Sequence, residues 1–415
     1  MAGNEPTEVT GEWDGGRSAK RRKAVRYGVP VAVAGVAAAT IGLVPAFAGS
    51  GSPDLPKISA QDLIAKIAKS DVQQLSGTVQ VTTDLGLPAL PGGAGAGGFG
   101  GGAKGGGAGA SASPQSKLTE LASGTHTLRV AADGPEKQRV SLVGQSADYT
   151  LIHNGNDVWA YDSGSNTVAH HTAPKGAHHG TPRDLPKDVQ NATPQELAKQ
   201  ALKAAGDTTS VTVGDTAKVA GRDAYQLVLT PKQAGSTVGS IRVAVDAANG
   251  VPLKFTLTPK SGGPAAIDVG YTRVDFARPA ADTFAFTPPK GAKVENGDRA
   301  AGQAARQHGK EFGGLKGLKD HKGSQDFGGF DVLGKGWTSI ATLKAPGGPG
   351  GKDQLAKGEA GKLMDSLGSK VTGSFGSGHL FSTRLVNALL TDDGTVYVGA
   401  VDKQALIAAA DAAKK

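Results

Sequence analysis

Residues 154–168 read NGNDVWAYDSGSNTV. Asn154-Gly155 is a dipeptide that suits the left-handed backbone of a two-residue hairpin turn. In the stretch that follows, Val158, Trp159 and Tyr161 are β-branched or aromatic, the types that fit a pleated surface. Ser163-Gly164 turns the chain again before Thr167–His170. Working outward, the same spacing recurs. Thr125–Val130, Gln138–Val143 and Tyr149–His153 read as strands separated by Asp133-Gly134 and Gly144-Gln145. Glycine turns every eight to twelve residues mark an antiparallel meander.

Helical signals flank this meander. On its N-terminal side Ser59 is placed to cap a helix with Asp62 in its first turn, and Leu63, Ile64, Ile67, Ala68 and Val72 share one face. A strand follows over 77–85, alternating at Thr78, Val79, Gln80 and Val81. Residues 88–113 are nearly all Gly, Ala, Ser and Pro, a flexible insertion with almost nothing to bury. No GK[ST] follows these glycines, so they do not form a phosphate loop. On the C-terminal side Thr193, Pro194 and Glu196 make a capping box for a helix with Leu197, Ala198, Ala201, Leu202 and Ala205 on its apolar face, ended by Gly206. Strands are expected at Val211–Val213, Asp223–Leu229, Ser240–Asp246, Leu253–Thr258 and Ile267–Phe276, with Phe284 to Pro289 closing the unit as its last strand.

These elements predict an α+β domain over 58–295, preceded by a connector at 49–57 and followed by a glycine-rich polar linker over 296–329. A smaller α+β unit is expected over 330–415. Within it Trp337–Leu343, Val371–Phe375, Leu380–Leu390 and Val396–Val401 read as strands, Leu355–Leu367 as a short helix, and Leu406 to Ala413 as a terminal helix capped by Asp402.

The first 48 residues stand apart. Six basic residues between Arg17 and Arg26 precede Gly28–Ala48, which carries no charge, and Ala46-Phe47-Ala48 offers the small residues that a signal peptidase needs. The segment is read as a signal peptide or as an uncleaved anchor of 21 residues, with the rest of the chain working outside the cytoplasm. Composition excludes much chemistry. There is no cysteine, which removes disulfides, thiol nucleophiles, iron–sulfur clusters and thiolate zinc sites. A net charge of +8 over 415 residues with 5% aromatics gives a weak nucleic-acid signal, so no nucleic-acid partner is expected. No nucleophile elbow, metalloprotease, Walker or dinucleotide motif occurs, so the chain is not expected to be an enzyme and no catalytic residue or cofactor is assigned. His170-His171 and His178-His179 are read as solvated residues rather than a metal site, and Asp392-Asp393-Gly394 as a hairpin turn.

With the strands placed, four motifs in order resemble the LolA and RseB/MucB superfamily. They are Asn154–Asp162 with Thr167-Val168, then Gly221-Arg222-Asp223-Ala224-Tyr225 running on to Lys232, then Asp246 with Asn249-Gly250-Val251-Pro252-Leu253, then Phe284, Phe286, Pro288, Pro289 and Gly291. The resemblance implies an unclosed β-barrel whose concave side is plugged by helices, in proteins that carry or sense lipids and lipoproteins or regulate sigma factors. The glycine-rich insertion and the C-terminal unit depart from that pattern. An open curved sheet must cover its inner face, and small helices leave room there for acyl chains. Bulky residues able to line such a cavity are Leu151, Trp159, Tyr161, Leu227, Leu229, Phe255, Leu257, Tyr271 and Phe276; alternation alone does not say which of them point inward, and each also suits an ordinary core. The expected function is extracytoplasmic binding of a lipid or lipoprotein acyl chain, as carrier or sensor. The alternatives are a regulator that binds a membrane anti-sigma partner and a wall-associated structural module.

Overall fold

The computed structural model describes residues 52–86, 117, 121–172, 194–296, 330–344 and 368–414. The expected export segment, the glycine-rich insertion, the linker, His178-His179, Thr193 and the helix expected over Leu355–Leu367 lie outside the described residues.

Helix α1 (Ala60–Lys69) starts where the sequence places it. The Ser59 hydroxyl accepts the Asp62 N–H at 3.1 Å, and Lys66 and Lys69 lie in the last turn, where cations suit the helix dipole. Strand β1 (Gln74–Thr83) follows, then the meander β2 (Gly124–Asp133), β3 (Lys137–Val143), β4 (Tyr149–Asn154), β5 (Asp157–Asp162) and β6 (Thr167–Thr172). Helix α2 (Pro194–Ala205) packs against α1 and leads to β7 (Thr209–Val213), β8 (Ala217–Val219), β9 (Arg222–Pro231), β10 (Val238–Asp246), β11 (Pro252–Pro259) and β12 (Ile267–Asp275). A last strand, β13 (Lys293–Asn296), completes a single 13-stranded sheet.

Its order is β13-β6-β5-β4-β3-β2-β1-β12-β11-β10-β9-β7, with β8 also paired to β9. The first strand thus sits mid-sheet between the two halves of the chain, and the two ends of the sheet do not pair, so the barrel is unclosed. The pairing is antiparallel throughout except for β13, which runs parallel to β6. The sheet curls strongly: β8 and β12 touch although four strand spacings lie between them, about 19 Å in a flat sheet. The Arg222 guanidinium reaches over the Phe276 ring at 4.8 Å across the same gap.

The expectation that Phe284 to Pro289 forms the last strand is corrected. Ala281–Phe284 is a 3-10 turn, and the strand comes only at β13. Pro279, Pro288 and Pro289 lack N–H groups and cannot serve a ladder. The segment instead straps the sheet. Phe284 is buried, Arg139 Nη1 donates to the Thr283 carbonyl at 3.1 Å, and Asn154 Nδ2 donates to the Phe284 carbonyl at 3.3 Å.

A second, six-stranded sheet holds β14 (Phe330–Leu333), β15 (Ile340–Lys344), β16 (Ser369–Gly373), β17 (Gly376–Ser382), β18 (Asn387–Thr391) and β19 (Thr395–Gly399) in the order β14-β15-β19-β18-β17-β16. Helix α3 (Lys403–Ala412) is capped by Asp402, whose Oδ1 accepts the Ala405 N–H at 2.9 Å. It seats Leu406 and Ala410 on Ile340, Leu389 and Tyr397. Two strand expectations are corrected here. Leu380–Leu390 is not one strand, because the Thr383 hydroxyl accepts the Val386 N–H at 2.8 Å and closes a turn between β17 and β18. Trp337 lies in a 3-10 turn ahead of β15 rather than in the strand.

Candidate ligand-binding face

Cross-strand neighbours share a face of a sheet, so the register assigns every candidate residue to one side. Leu227 pairs with Val243, Val243 with Phe255, Phe255 with Val269 and Val269 with Val81. A parallel row runs from Leu229 through Ile241 and Leu257 to Ile267. Tyr271 pairs with Val79, beside a bulge at Thr78/Val79. Beyond β1, Leu151 pairs with Val140 and Ala160 and packs on the same apolar cluster as Val79, Val81, Leu128 and Leu142. Phe276 joins that cluster just past the end of β12, against Leu75. Seven of the nine candidates therefore lie on one face: Leu151, Leu227, Leu229, Phe255, Leu257, Tyr271 and Phe276.

Trp159 and Tyr161 do not. They flank Ala160 in β5 and so point the other way, into the strap, where Phe286 lies 5.5 Å from the Trp159 ring and 5.8 Å from the Tyr161 ring. Trp159 stacks on His170 at 3.6 Å, and His170 Nε2 lies 2.8 Å from Asp157 Oδ1. His171 pairs with Val158 and so faces the opposite side from His170. Among the described residues there is no group of three or more His, Asp or Glu that could hold a metal ion.

The seven-residue face carries two covers. Helix α1 lies over one end, with Leu63 fully buried against Tyr225, Leu227 and Val245, and Ile64 and Ile67 beside it. The second sheet covers another stretch: Leu385 joins Val238, Leu257 and Ala266 in one cluster, with Trp337 and Ala400 packed against it. Polar contacts hold that cover down. Arg384 pairs with the Asp84 carboxylate, donates from Nη1 to the Asp84 carbonyl at 3.1 Å and from Nη2 to the Gly262 carbonyl at 3.3 Å, and also meets the Pro264 carbonyl. Its own N–H donates to the Leu85 carbonyl at 2.8 Å. Trp337 Nε1 donates to Thr209 Oγ1 at 2.7 Å, and Gln233 accepts the Trp337 N–H at 2.8 Å while donating to Thr338 Oγ1 at 2.9 Å. Gly336 is required at this corner, since its φ is +64° and a Cβ there would stand 2.7 Å from Gln233 Oε1. Sequence reasoning left the role of residues 330–415 open, and it read Trp337 as the start of a strand rather than as a contact to the large sheet.

Polar groups also lie on this face: His153 and His171 both pair with Val158, on the Leu151 side. Lys117 Nζ lies 3.5 Å from Asp162 Oδ2 and 6.0 Å over the Tyr149 ring. Burial, with Asp162 alongside, pushes the Tyr149 phenol up to about 12. The Tyr271 phenol is also pushed up, by burial alone.

Neither a family model nor a curated protein matches the chain. Solved structures similar to it include the MucA/MucB complex of Pseudomonas aeruginosa, at 13% identity over 85% of this chain and 96% of that one, with a TM-score of 0.37. A LolA superfamily protein, NE2245 of Nitrosomonas europaea, is similar at 11% identity over 55% of this chain and 99% of that one, with a TM-score of 0.21. A putative outer membrane lipoprotein-sorting protein domain from Vibrio parahaemolyticus shares 11% identity over 36% of this chain and 77% of that one, with a TM-score of 0.16.

Proposed function

We propose that the protein binds an acyl chain of a lipid or lipoprotein on the helix-bearing face of its large sheet, outside the cytoplasm, as a carrier or sensor. One observation carries the reading: seven bulky apolar or aromatic residues from β4, β9, β11, β12 and the start of the strap share one face of an unclosed sheet, under covers that are not part of that sheet. Burial of each methylene contributes about 0.8 kcal/mol, so a chain of ten or more carbons laid along these rows would be held without any covalent step. The uncharged Gly28–Ala48 stretch behind its basic flank supports export. Among the described residues no helix is long and apolar enough to cross a membrane.

The test is native mass spectrometry of the protein purified from its own host's envelope, followed by organic extraction. A lipid or acylated peptide at near one per chain is the expected result. A clean protein mass that stays unchanged after incubation with envelope lipids would overturn the reading. A second reading, a regulator that grips a membrane-bound anti-sigma protein, is favoured by the way Arg384, Gln233 and Trp337 join two sheets into one surface. A stoichiometric protein partner in the same purification, with no lipid, would select it.

A further inference from the structure

We propose that the Tyr271 hydroxyl is the polar recognition point of the helix-bearing face, selecting acyl chains that carry an uncharged acceptor, an ester or amide carbonyl, over free fatty carboxylates. The inference rests on the acyl-binding reading above and names its specificity.

Among the described residues, Ser70 Oγ and Tyr271 Oη are buried side-chain polar atoms with no hydrogen-bond partner. Ser70 is the residue that ends α1. Tyr271 is the one of the two inside the apolar cluster, 7% exposed, among residues such as Val79, Val81, Leu128, Leu253 and Val269. A buried hydroxyl without a partner is destabilising, and phenylalanine would fill the same space without that penalty. A tyrosine here therefore needs a reason beyond packing. The ring is also held in place. Tyr271 pairs with Val79 across β1, and Gly77 leaves it room: a Cβ at Gly77 would stand 2.9 Å from Tyr271 Cδ1 and 2.5 Å from the Arg273 carbonyl. A fixed ring points its hydroxyl in one direction, which is what a recognition group requires.

The surroundings choose the ligand class. A phenol offers one donor and one acceptor. Its titration is raised by burial alone, with no charged group contributing, so nothing at this point would neutralise a carboxylate. Burying an unpaired carboxylate beside a lone phenol is strongly unfavourable, while a carbonyl oxygen costs far less to desolvate and accepts the hydroxyl proton. The ion pair on this face, Lys117 with Asp162, already satisfies itself beside Tyr149. Because the Tyr271 hydroxyl is closed off from solvent, an incoming chain must part the side chains over it, so binding should be slow to establish and slow to reverse.

The test compares the wild-type chain with Tyr271→Phe, using methyl palmitate, palmitate and hexadecane as competitors for bound Nile red. In the wild type, methyl palmitate should compete at about ten-fold lower concentration than hexadecane, the value of one neutral hydrogen bond, and palmitate should fall behind the ester. Tyr271→Phe should bring the ester and the hydrocarbon within about two-fold of each other and unfold at no lower denaturant concentration. An ester preference that survives in Tyr271→Phe, or palmitate outcompeting the ester in the wild type, would overturn the inference while leaving acyl binding intact. If neither Nile red nor any of the chains binds either protein, the acyl-binding reading fails and this inference falls with it.

Discussion

The two faces of the large sheet are covered in opposite ways. Over β3 to β6 the outer face is held by a strap continuous with the sheet itself: β12 runs into the 3-10 turn and on to β13, which pairs with β6, and Trp159, Tyr161, His170 and Phe286 interlock beneath it. Over β7 and β9 to β12 the other face is covered by α1 and by the second sheet, pieces that reach it from distant parts of the sequence. Arg384 and Asp84 are 300 residues apart in the chain, whereas the Trp159 and Phe286 pair belongs to one sheet and its tail. A cover made of separate pieces can lift as a unit without breaking the ladder beneath it; a strap that is itself a strand cannot. That difference is why the proposed binding is assigned to the helix-bearing face rather than to the strapped one.

The comparison can be broken first at its deepest contact. Leu63 is fully buried and is the side chain through which α1 grips Tyr225, Leu227 and Val245, so Leu63→Ala should cost about 3 kcal/mol in urea unfolding. Hydrogen exchange should show the loss concentrated in β7, β9 and β10, with β3 to β6 protected as before. Uniform loss across both halves would mean that the covers are not separate.

The next test uses acid. Asp246 is buried, which by itself would raise its carboxyl, yet hydrogen bonds from Arg222 and from the Asn249 and Ala248 N–H groups, with the Arg222 charge, hold it below the usual range. A carboxyl depressed on folding stabilises the fold above its unfolded value near 3.9, and that contribution fades as pH falls through the lower folded value. Asp246→Asn should therefore lose about 2 kcal/mol at pH 7 and show a shallower decline below pH 4 than the wild type, read from urea midpoints across pH. The pair joins the turn after β10 to the Arg222 end of β9.

The smallest effect is expected at the latch. Arg384→Ala removes a charged hydrogen-bond set whose partner Asp84 is 45% exposed, so solvent screening leaves a stability loss of about 1 kcal/mol. The telling readout is local: exchange at Thr237, whose N–H donates to the Ala400 carbonyl at 3.0 Å, should speed up while α3 remains protected. Equal loss in α3 would mean that the second sheet unfolds rather than lifts.

Much of the order of elements was legible in the sequence. The hairpins around Asn154-Gly155 and Asn249-Gly250, the Ser59 cap and the Asp402 cap depend on local chemistry: turn residues that accept a left-handed backbone, and side-chain oxygens that reach the first N–H groups of a helix. The misreadings also have local causes. Thr383 uses its hydroxyl to break what hydrophobicity alone presents as one long strand, and the prolines around Phe284 and Phe286 deny the ladder its donors. Short β8 and β14, only 3 and 4 residues long, carry too little periodicity to be seen.

The sequence by itself determined most of the strands and the capped helices, because those choices rest on periods of 2 and 3.6 residues and on caps within a few positions. It also determined a set of nine bulky candidates for the binding wall. Tertiary structure alone decided that seven of them share a face while Trp159 and Tyr161 lie under the strap, that the C-terminal sheet covers part of that face, and that the Tyr271 hydroxyl is buried there without a partner. The reason is that a side chain's face follows from strand register and bulges, and its cover from contacts between residues hundreds of positions apart. Neither is written in any window of neighbouring residues.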